Sequence, residues 1–306
     1  MKKSVVITGG TGLIGSRIIE LLDSSNYDIR IYTRNPRESH DNVSYYRWDL
    51  EKGEMDLEGL RDCNHVISLA GAGIADKRWT DKRKKEIIDS RVMGNELISA
   101  KLGVLNHRPD SIVAGSAIGY YGDRADEKLT EDSAPGPEEF LVKSTRLWEE
   151  ALSKLKTNTD QFTMIRIGIV LSTKGGALEK MLIPLRFGVS GYFGNGKQYY
   201  SWIHIDDLCG MFIKGIEDKS WSGVYNGTSP DPLTLRQMAI KIKNTYLPIA
   251  VALPVPEFLL RLVMGEMTNM LTNSTRVIPS KAMSHGYEYS FTEVKKAVMD
   301  LKKRKI

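Results

Sequence analysis

Short apolar runs alternate with helix-length segments over roughly the first half of the 306-residue chain. The first run, residues 4–8, is rich in β-branched residues and ends at a pair of glycines, which is typical of a buried strand. Similar strands are predicted at residues 28–33, 42–48, 64–70, 110–115 and 161–169, with helices at 13–22, 81–101 and 138–155. This alternation indicates parallel βαβ units with right-handed crossovers. We therefore predict an α/β fold with a Rossmann-type, doubly wound parallel sheet of about seven strands.

The pattern changes after Leu171. Glycines crowd residues 188–196, and residues 230–256 carry five of the eleven prolines. Between them, an aromatic strand is predicted at 199–205 and a helix at 206–217. We interpret this change as a smaller C-terminal substrate lobe laid over the sheet. The predicted sheet domain comprises residues 1–170 with about 200–228, and the predicted interleaved lobe comprises residues 171–199 and 229–306.

A glycine motif, Gly9-x-x-Gly12-x-x-Gly15, follows the first predicted strand and opens the first predicted helix. Glycine suits this loop because the chain turns sharply, the backbone can approach a pyrophosphate, and the helix packs tightly on the strand. Free N–H groups at the helix start then hold the anion. We predict a dinucleotide-binding loop, and the alternative is a plain turn. The predicted contact residues are Gly9, Thr11, Gly12, Leu13, Ile14 and Gly15.

The end of the second predicted strand indicates which dinucleotide fits. NAD-binding domains place an acidic residue there for the ribose hydroxyls, but this strand ends in Thr33 and Arg34, with no carboxylate before Glu38. Arg34 can pair with a 2′-phosphate and Thr33 can add a hydroxyl, so NADP(H) is favoured over NAD(H). The alternative for Arg34 is a solvated side chain at the start of a loop.

Further candidates for cofactor contacts follow the third and fourth predicted strands or lie in the predicted helix after them. They are Asp49, Leu50, Leu69, Ala70, Gly71 and Arg91. The first five could cap the adenine or line the adenosine, although all are also ordinary strand ends. Arg91 belongs to a group of cations in residues 77–91 that suits a cofactor or substrate phosphate. The alternative for these cations is a solvated helix face.

Three segments together resemble an extended short-chain dehydrogenase/reductase: the glycine loop, residues 116–122 (SAIGYYG) and residues 201–208 (SWIHIDDL). Residues 75–80 (ADKRWT) and 166–171 (RIGIVL) are similar to an atypical branch, the "epimerase family" proteins, which are also labelled SulA-like or NAD-dependent epimerase-like. The resemblance covers essentially the whole chain. It implies a Rossmann sheet of about seven strands, a C-terminal substrate lobe and NADP(H) as the cofactor.

The catalytic pair that this family generally uses, Tyr-x-x-x-Lys, is missing, because none of the thirteen tyrosines has a lysine four residues on. In that pair, the lysine helps the tyrosine to exchange a proton during hydride transfer. Phe140 or Leu141 stands where the tyrosine would be. If the protein is catalytic, we expect a hydroxyl of Ser116, Tyr120 or Tyr121, beyond the fifth strand, to replace it. The alternative for the tyrosines is packing in a turn.

Positions next to the SWIHIDDL motif bear on the substrate. Nucleotide-sugar epimerases usually place an arginine before this motif to meet the diphosphate, but Tyr200 stands there, with Lys197 nearby. A nucleotide-sugar substrate is therefore in doubt. We interpret His204 as a structural histidine and expect Asp206 and Asp207 to cap the next helix.

Composition narrows the class of protein. With 41% hydrophobic and 26% charged residues, the chain is of the ordinary globular kind, which excludes global disorder. The net charge of +5 is spread along the chain, and the basic run at 302–305 is interpreted as a solvated tail, so no nucleic-acid partner is expected. No apolar run approaches the roughly 20 residues that span a bilayer, so no membrane partner is expected.

Cys63 and Cys209 are expected to be buried, reduced thiols, and the five histidines show no metal-ligand spacing.

The leading hypothesis is a cytoplasmic NADP(H)-binding oxidoreductase or epimerase-like enzyme that acts on an unknown small molecule as a monomer or homodimer. Its support is the aromatic segment around Tyr120 and Tyr121 beyond the fifth strand. The rival hypothesis is a non-catalytic NADP(H)-binding sensor or interaction protein, which the missing Tyr-x-x-x-Lys pair supports.

Overall fold

An eight-stranded sheet lies at the centre of the computed structural model, which describes residues 2–304. The described residues form sixteen strands. In chain order they are β1 (Lys3–Thr8), β2 (Tyr27–Thr33), β3 (Val43–Asp49), β4 (Glu54–Met55), β5 (His65–Ser68), β6 (Ser111–Ala117), β7 (Lys128–Leu129), β8 (Gln161–Ile167), β9 (Ile169–Leu171), β10 (Val189–Phe193), β11 (Tyr199–Tyr200), β12 (Trp202–His204), β13 (Gly223–Gly227), β14 (Leu233–Thr234), β15 (Val251–Val255) and β16 (Arg276–Val277).

The strand order in the central sheet is β13-β8-β6-β5-β1-β2-β3-β4. All neighbouring pairs are parallel except β3 with the two-residue edge strand β4. From β1, the sheet grows in one direction through β2 and β3 and in the other through β5, β6, β8 and β13, which is the doubly wound Rossmann order. The predicted fold class is confirmed, with seven parallel strands and one short antiparallel edge.

Helices cover both faces of this sheet. In chain order the helices of the described residues are α1 (Leu13–Leu21), α2 (Asp81–Leu105), α3 (Phe140–Leu155), α4 (Gly176–Leu185), α5 (Ile205–Glu217), α6 (Leu235–Tyr246), α7 (Glu257–Met264), α8 (Asn269–Thr272), α9 (Ser280–Ser284) and α10 (Val294–Lys303), with 3₁₀ turns at Ile118–Tyr121, Lys156–Asn158 and Gly265–Thr268. Val5 and Ile7 of β1 pack in the core layer that contains residues of α1 and α5, whereas Val6 packs in the layer of α2 and α3. This alternation follows from the two-residue period of a strand.

Two predicted strands are each divided in the structure. The run at 161–169 forms β8 and β9, separated by Gly168, where a Cβ would lie 2.6 Å from the Ser201 carbonyl oxygen. The run at 199–205 forms β11 and β12, separated by Ser201, whose hydroxyl donates to the Thr275 carbonyl (2.7 Å) and accepts from the Val277 N–H (2.8 Å). The divided strands pair with each other, β9 with β12, rather than extending the central sheet.

The predicted cap of α5 is wrong. His204 is the residue before the helix, and its Nδ1 accepts the Asp206 backbone N–H at 3.1 Å. Asp206 lies inside the first turn and pairs with Arg17, with a distance of 2.7 Å from Arg17 Nε to its carboxylate. Asp207 accepts backbone N–H groups from residues 290 and 291. Both carboxylates still complement the positive end of the helix, but neither occupies the capping position.

The structure also tests the expectations for the two cysteines, for His204 and for membrane-spanning helices. Cys63 and Cys209 are both buried and form no disulfide, which confirms the expectation of buried, unpaired thiols. His204 is fully buried, in agreement with a structural histidine. Across residues 2–304, no helix combines the length and the apolar character that a membrane crossing requires.

Acidification is expected to destabilise the protein through two buried histidines. Burial lowers the pKa of His65 and of His204 to about 4, from an ordinary value of 6.5. The unfolded chain therefore takes up protons in this range that the folded chain does not. The stabilisation is complete above pH 6.5 and is lost toward pH 4, by up to about 1.4 kcal/mol per pH unit for each histidine. Urea unfolding at a series of pH values measures this slope.

A pair of variants separates the contributions of the two histidines. His204→Asn keeps an acceptor for the Asp206 N–H but does not titrate. The slope of the unfolding free energy against pH should therefore decrease by up to about 1.4 kcal/mol per pH unit, the contribution of one proton. His65→Asn, at the other buried histidine, should decrease the slope by a similar amount. If both variants keep the wild-type slope, these histidines do not cause the acid sensitivity.

Candidate functional site

The candidate site lies at the carboxyl edge of the sheet, where β1 and β5 are neighbours. The chain leaves β1 for α1 on one face and leaves β5 for α2 on the other. In doubly wound sheets, the crevice at such a reversal of strand order is where ligands bind. The glycine loop follows β1, so the sequence motif and the topology indicate the same place.

The glycine loop can form only without side chains at two of its positions. Gly9 has a φ of +73°, and a Cβ there would lie 2.9 Å from the Ala70 nitrogen. A Cβ at Gly15 would collide with the Gly9 carbonyl oxygen. The Gly12 N–H donates to that same oxygen at 3.0 Å, which closes the turn. The loop is thus a narrow backbone cradle directly before α1.

The start of α1 suits an anion. The helix has no side-chain cap and no acidic residue in its first turn. Thr11 and Gly12 are exposed before it, and Leu13 and Ile14 are half-buried at its start. Unpaired N–H groups and the helix dipole at this position favour negative charge, such as a pyrophosphate.

The other predicted cofactor residues continue along the same edge of the sheet. Thr33 and Arg34 stand at the end of β2, Asp49 and Leu50 at the end of β3, and Leu69, Ala70 and Gly71 directly after β5. Since β5, β1, β2 and β3 are consecutive in the sheet, the structure brings these residues together along one side of the crevice. Their contact with a cofactor stays a prediction.

Arg34 and Asp49 differ in how their side chains are engaged. Arg34 is exposed, next to the half-buried Thr33, and can turn toward a phosphate. Asp49 accepts the backbone N–H groups of Glu51 and Lys52 at 3.1 and 3.3 Å. Its carboxylate already closes a local turn, so the positive side chain is the more available of the two.

Arg91 is a half-buried cation on α2 beside the segment after β5. Its Nη1 donates to the carbonyl oxygens of Ala72 and Ile87, both at 3.0 Å, and its guanidinium lies 4.9 Å from the Trp148 ring centroid. Burial lowers the pKa of Arg91 to about 10, which still leaves it charged at neutral pH. No carboxylate of the described residues forms an ion pair with it. A half-buried cation without a carboxylate partner, next to Gly71, favours the binding of an anion.

A buried ion pair lies near the carboxyl ends of β6 and β8, and its cation, Arg166, belongs to β8. Arg166 is 5% exposed, and its Nε and Nη2 donate to the two carboxylate oxygens of Glu149 on α3 at 2.9 and 2.8 Å. The Ser116 hydroxyl, 1% exposed, donates to the same carboxylate at 2.7 Å. The geometry is bidentate and charge-assisted, so it fixes all three side chains.

The two neighbouring tyrosines have different surroundings. Tyr121 is fully buried, and its hydroxyl lies 2.8 Å from Asn226 Oδ1 and accepts from Arg166 Nη1 at 2.9 Å. Burial raises the pKa of Tyr121 to about 12. Tyr120 is half-buried, its ring centroid lies 3.5 Å from the Arg166 guanidinium carbon, and its hydroxyl has no hydrogen-bond partner within residues 2–304. Of the two hydroxyls, that of Tyr120 is the one available to a ligand.

The start of α3 carries no proton donor at the predicted position of the missing tyrosine. Phe140 is buried against Trp79, with ring centroids 4.6 Å apart, and Leu141 is half-buried beside Gly119. Lys143 is exposed. Within residues 2–304, no group of three or more His, Cys, Asp or Glu side chains could hold a metal ion.

The role of Glu149 was not foreseen from the sequence. It lies on a predicted helix with no local motif, and its partner is seventeen residues away on a strand. The available signal was Arg166 itself, a charged residue within an apolar strand, because a buried charge requires a partner.

The sheet order and the cradle at its reversal point define the class as a dinucleotide-binding Rossmann protein. The family model described as "NAD dependent epimerase/dehydratase family" matches residues 5–226, and the chain belongs to that family. A second model, described as a domain of unknown function, matches residues 255–301.

Named relatives resemble the chain over nearly its full length. "Epimerase family protein YfhF" of Bacillus subtilis is 32% identical, over 97% of this chain and 97% of the relative. "Epimerase family protein SDR39U1" of Mus musculus is 31% identical, over 97% of this chain and 99% of the relative. The crystal structure of the human epimerase family protein SDR39U1 (isoform2) with NADPH has a TM-score of 0.88 and 28% identity, and covers 98% of this chain and 99% of that one. The resemblance predicted from the sequence is confirmed, and the expected NADP(H) agrees with the cofactor in the human structure.

Proposed function

We propose that the protein is an NADP(H)-dependent oxidoreductase that interconverts the carbonyl and alcohol forms of a small molecule. The observation that carries the proposal is the fit of the sheet edge to a phosphorylated dinucleotide. The cradle at Gly9 and Gly15 would be filled by any Cβ, and Arg91 lies nearby without a carboxylate. The NADPH in the structure of the human relative supports the same cofactor.

Different residues along the carboxyl edge of the sheet would bind different parts of the cofactor. The glycine loop and the start of α1 would hold the pyrophosphate, and Arg34 with Thr33 the 2′-phosphate. Arg91 would add positive charge beside the segment after β5. When bound, NADPH supplies a hydride to the carbonyl carbon, and the protein has to supply the proton for the carbonyl oxygen.

Tyr120 suits the transfer of that proton better than the other two predicted hydroxyls. Ser116 is almost fully buried and already donates its proton to Glu149. Tyr121 is fully buried and bonded on both sides. The Tyr120 ring is fixed on Arg166, and its hydroxyl is available. We assign Tyr120 as the donor in reduction and the acceptor in oxidation, with positive charge from Arg166 stabilising the negative charge that forms on it.

The direct test has two steps. The protein is first titrated with NADPH and with NADH, and the NADPH-bound protein is then screened against a broad panel of aldehydes and ketones for NADPH oxidation. The proposal expects tighter binding of NADPH than of NADH, and turnover with at least one carbonyl class. Tight NADPH binding with no turnover across the panel would instead favour a non-catalytic sensor.

Arg34→Ala tests the choice of cofactor. NADPH affinity should decrease by about 1–3 kcal/mol, because a charge-assisted bond to the 2′-phosphate is lost, whereas NADH affinity should change little. Arg37→Ala is the matched control, since Arg37 is also exposed and lies in the same loop. Equal losses for NADPH and NADH in Arg34→Ala would contradict a contact with the 2′-phosphate. Isothermal titration measures both affinities.

A further inference from the structure

Residues 273–277, which we call the strap, follow α8 and lie between the turn at residues 118–125, which carries Tyr120, and the strands β11 and β12. The strap belongs to residues 255–301, the part of the chain that the model described as a domain of unknown function matches. Its five residues, Asn-Ser-Thr-Arg-Val, include three short polar side chains and one buried valine. Their contacts connect this part of the chain to the candidate site.

The strap bonds to the segment through which the chain leaves this turn. The Thr275 hydroxyl donates to the Gly122 carbonyl at 3.0 Å. The Ser274 N–H donates to Asp123 Oδ1 at 3.2 Å, and the Ser274 carbonyl accepts the Arg124 N–H at 2.9 Å. Since Gly122 has a φ of +60°, the chain changes direction there, and the strap fixes the place where it does so.

Asn273 connects the strap to the start of α3, against which the turn packs. Its Nδ2 donates to Glu139 Oε1 at 2.5 Å. A Cβ at Gly122 would lie 3.4 Å from the same oxygen, and a Cβ at Gly119 would lie 3.3 Å from Thr145 Oγ1 on α3. The turn therefore has little free space against α3, and the strap bonds to both of them.

Val277 gives the turn an apolar support. It forms a buried cluster with Tyr121 and Leu129, and the half-buried Tyr120 packs against this cluster. The pairing of β16 with β7, in which Val277 lies opposite Leu129, fixes the valine in this position. The Tyr120 ring is therefore held by this cluster as well as by Arg166, whose guanidinium carbon lies 3.5 Å from the ring centroid.

The other side of the strap is anchored on β11 and β12. The Tyr199 N–H donates to Ser274 Oγ at 2.9 Å, and the Thr275 N–H donates to the Tyr199 carbonyl at 3.2 Å. Ser201, which is fully buried, bonds to the Thr275 carbonyl and to the Val277 N–H. Because the strap is bonded on both sides, it is a fixed support for the turn.

The place of the Tyr120 hydroxyl matters because a proton donor has to lie within hydrogen-bond reach of the substrate oxygen. A displacement of about 1 Å can reduce the rate by about 10²-fold. This hydroxyl has no hydrogen-bond partner within residues 2–304, so its place is set by the ring and by the backbone of the turn. Contacts that hold the turn therefore bear directly on the proposed reaction.

We infer that the strap positions the Tyr120 hydroxyl for the proposed proton transfer. Thr275 acts through the Gly122 carbonyl, Asn273 through the start of α3, and Val277 through the apolar cluster. The part of the chain matched by the model of unknown function thereby has a role in the reaction. This inference rests on the proposed function, because it names positioning residues for the same site.

Thr275→Val tests the contact between the strap and the turn. Valine keeps the shape of the side chain and the backbone bonds, but removes the hydroxyl that bonds to Gly122. With a carbonyl compound from the screen, kcat should decrease about tenfold, whereas the dissociation constant of NADPH should stay within about twofold of the wild type. Thr272→Val is the matched control, because Thr272 is also half-buried but its hydroxyl donates to the Thr268 carbonyl, at 3.2 Å, within the preceding turn of the chain. Its kcat should stay within about twofold of the wild type.

A comparison in a second background separates positioning from a general loss of packing. Tyr120→Phe has no hydroxyl to position, so adding Thr275→Val to it should change kcat by less than about twofold. If Thr275→Val lowers kcat equally in the wild-type and Tyr120→Phe backgrounds, the role of the strap is a general structural one, and the inference is overturned.

Hydrogen exchange of the free protein tests the support without a substrate. In Thr275→Val, the amides of residues 120–125 should exchange about fivefold faster, because one hydrogen bond no longer opposes the local opening of the turn. The same amides in Thr272→Val should keep the wild-type rate. Unchanged exchange in Thr275→Val would show that the turn is held without the strap hydroxyl, against the inference.

The kinetic outcomes distinguish this inference from the proposed function. If Tyr120→Phe lowers kcat and Thr275→Val does not, the assignment of the strap is overturned and the proton donor stands. If no carbonyl compound is turned over, or if Tyr120→Phe keeps the wild-type kcat, the proposed function is overturned, and this inference with it.

Discussion

Tyr120→Phe is expected to reduce kcat by roughly 10²–10⁴-fold, the usual contribution of a general acid, while NADPH affinity stays within about twofold of the wild type. The change removes one oxygen atom and leaves the ring on Arg166, where the centroid lies 3.5 Å from the guanidinium carbon. The measurement is steady-state NADPH oxidation with a carbonyl compound identified in the screen, together with a titration of NADPH.

The neighbouring tyrosine gives the matched comparison. Tyr121→Phe deletes a buried hydroxyl that lies 2.8 Å from Asn226 Oδ1 and accepts from Arg166. Stability should therefore decrease by about 1–3 kcal/mol, while turnover per folded molecule remains within severalfold of the wild type. If Tyr121→Phe abolishes turnover and Tyr120→Phe does not, the proton donor has been assigned to the wrong residue.

The central sheet and the glycine loop at its carboxyl edge could be predicted from local sequence signals. The strands show as apolar runs, and the Gly9–Gly15 spacing is a recognisable motif of this loop. A Cβ at Gly15 would meet the backbone of the loop itself, and a Cβ at Gly9 would meet the backbone directly after β5. The ends of β2 and β3 could be located because both segments are rich in β-branched and aromatic residues and run into polar loops. The predicted division of the chain into a sheet domain and a smaller lobe stays a prediction.

The proposed reaction centre depends on contacts between segments that are distant in sequence. Glu149, Arg166 and Ser116 come from a helix and two strands, and nothing in the sequence of one segment indicates the others. The division of residues 199–205 into β11 and β12 has the same origin, because Ser201 bonds to backbone more than seventy residues away.

The largest loss of stability is expected for the buried pair beneath Tyr120. Glu149→Gln keeps the shape of the side chain but leaves the Arg166 charge without a counterion in a position where the side chain is 6% exposed. Breaking a buried pair in this way costs about 3–5 kcal/mol in the free energy of unfolding. Urea unfolding, with and without saturating NADPH, measures the cost. Because Ser116 and the Tyr120 ring are held by the same pair, turnover should also decrease in the molecules that remain folded.

Two comparisons show whether burial causes the effect. Glu58→Gln breaks the exposed pair between Glu58 and Arg61, whose side chains are 65% and 53% exposed, and should cost less than about 1 kcal/mol. Replacing both buried partners, Glu149→Leu with Arg166→Met, should cost less than the sum of the two single changes, because no unpaired charge remains. If the costs of the two buried replacements are simply additive, Glu149 and Arg166 are not coupled. Contacts other than this ion pair would then have to hold Tyr120 and Ser116 in place.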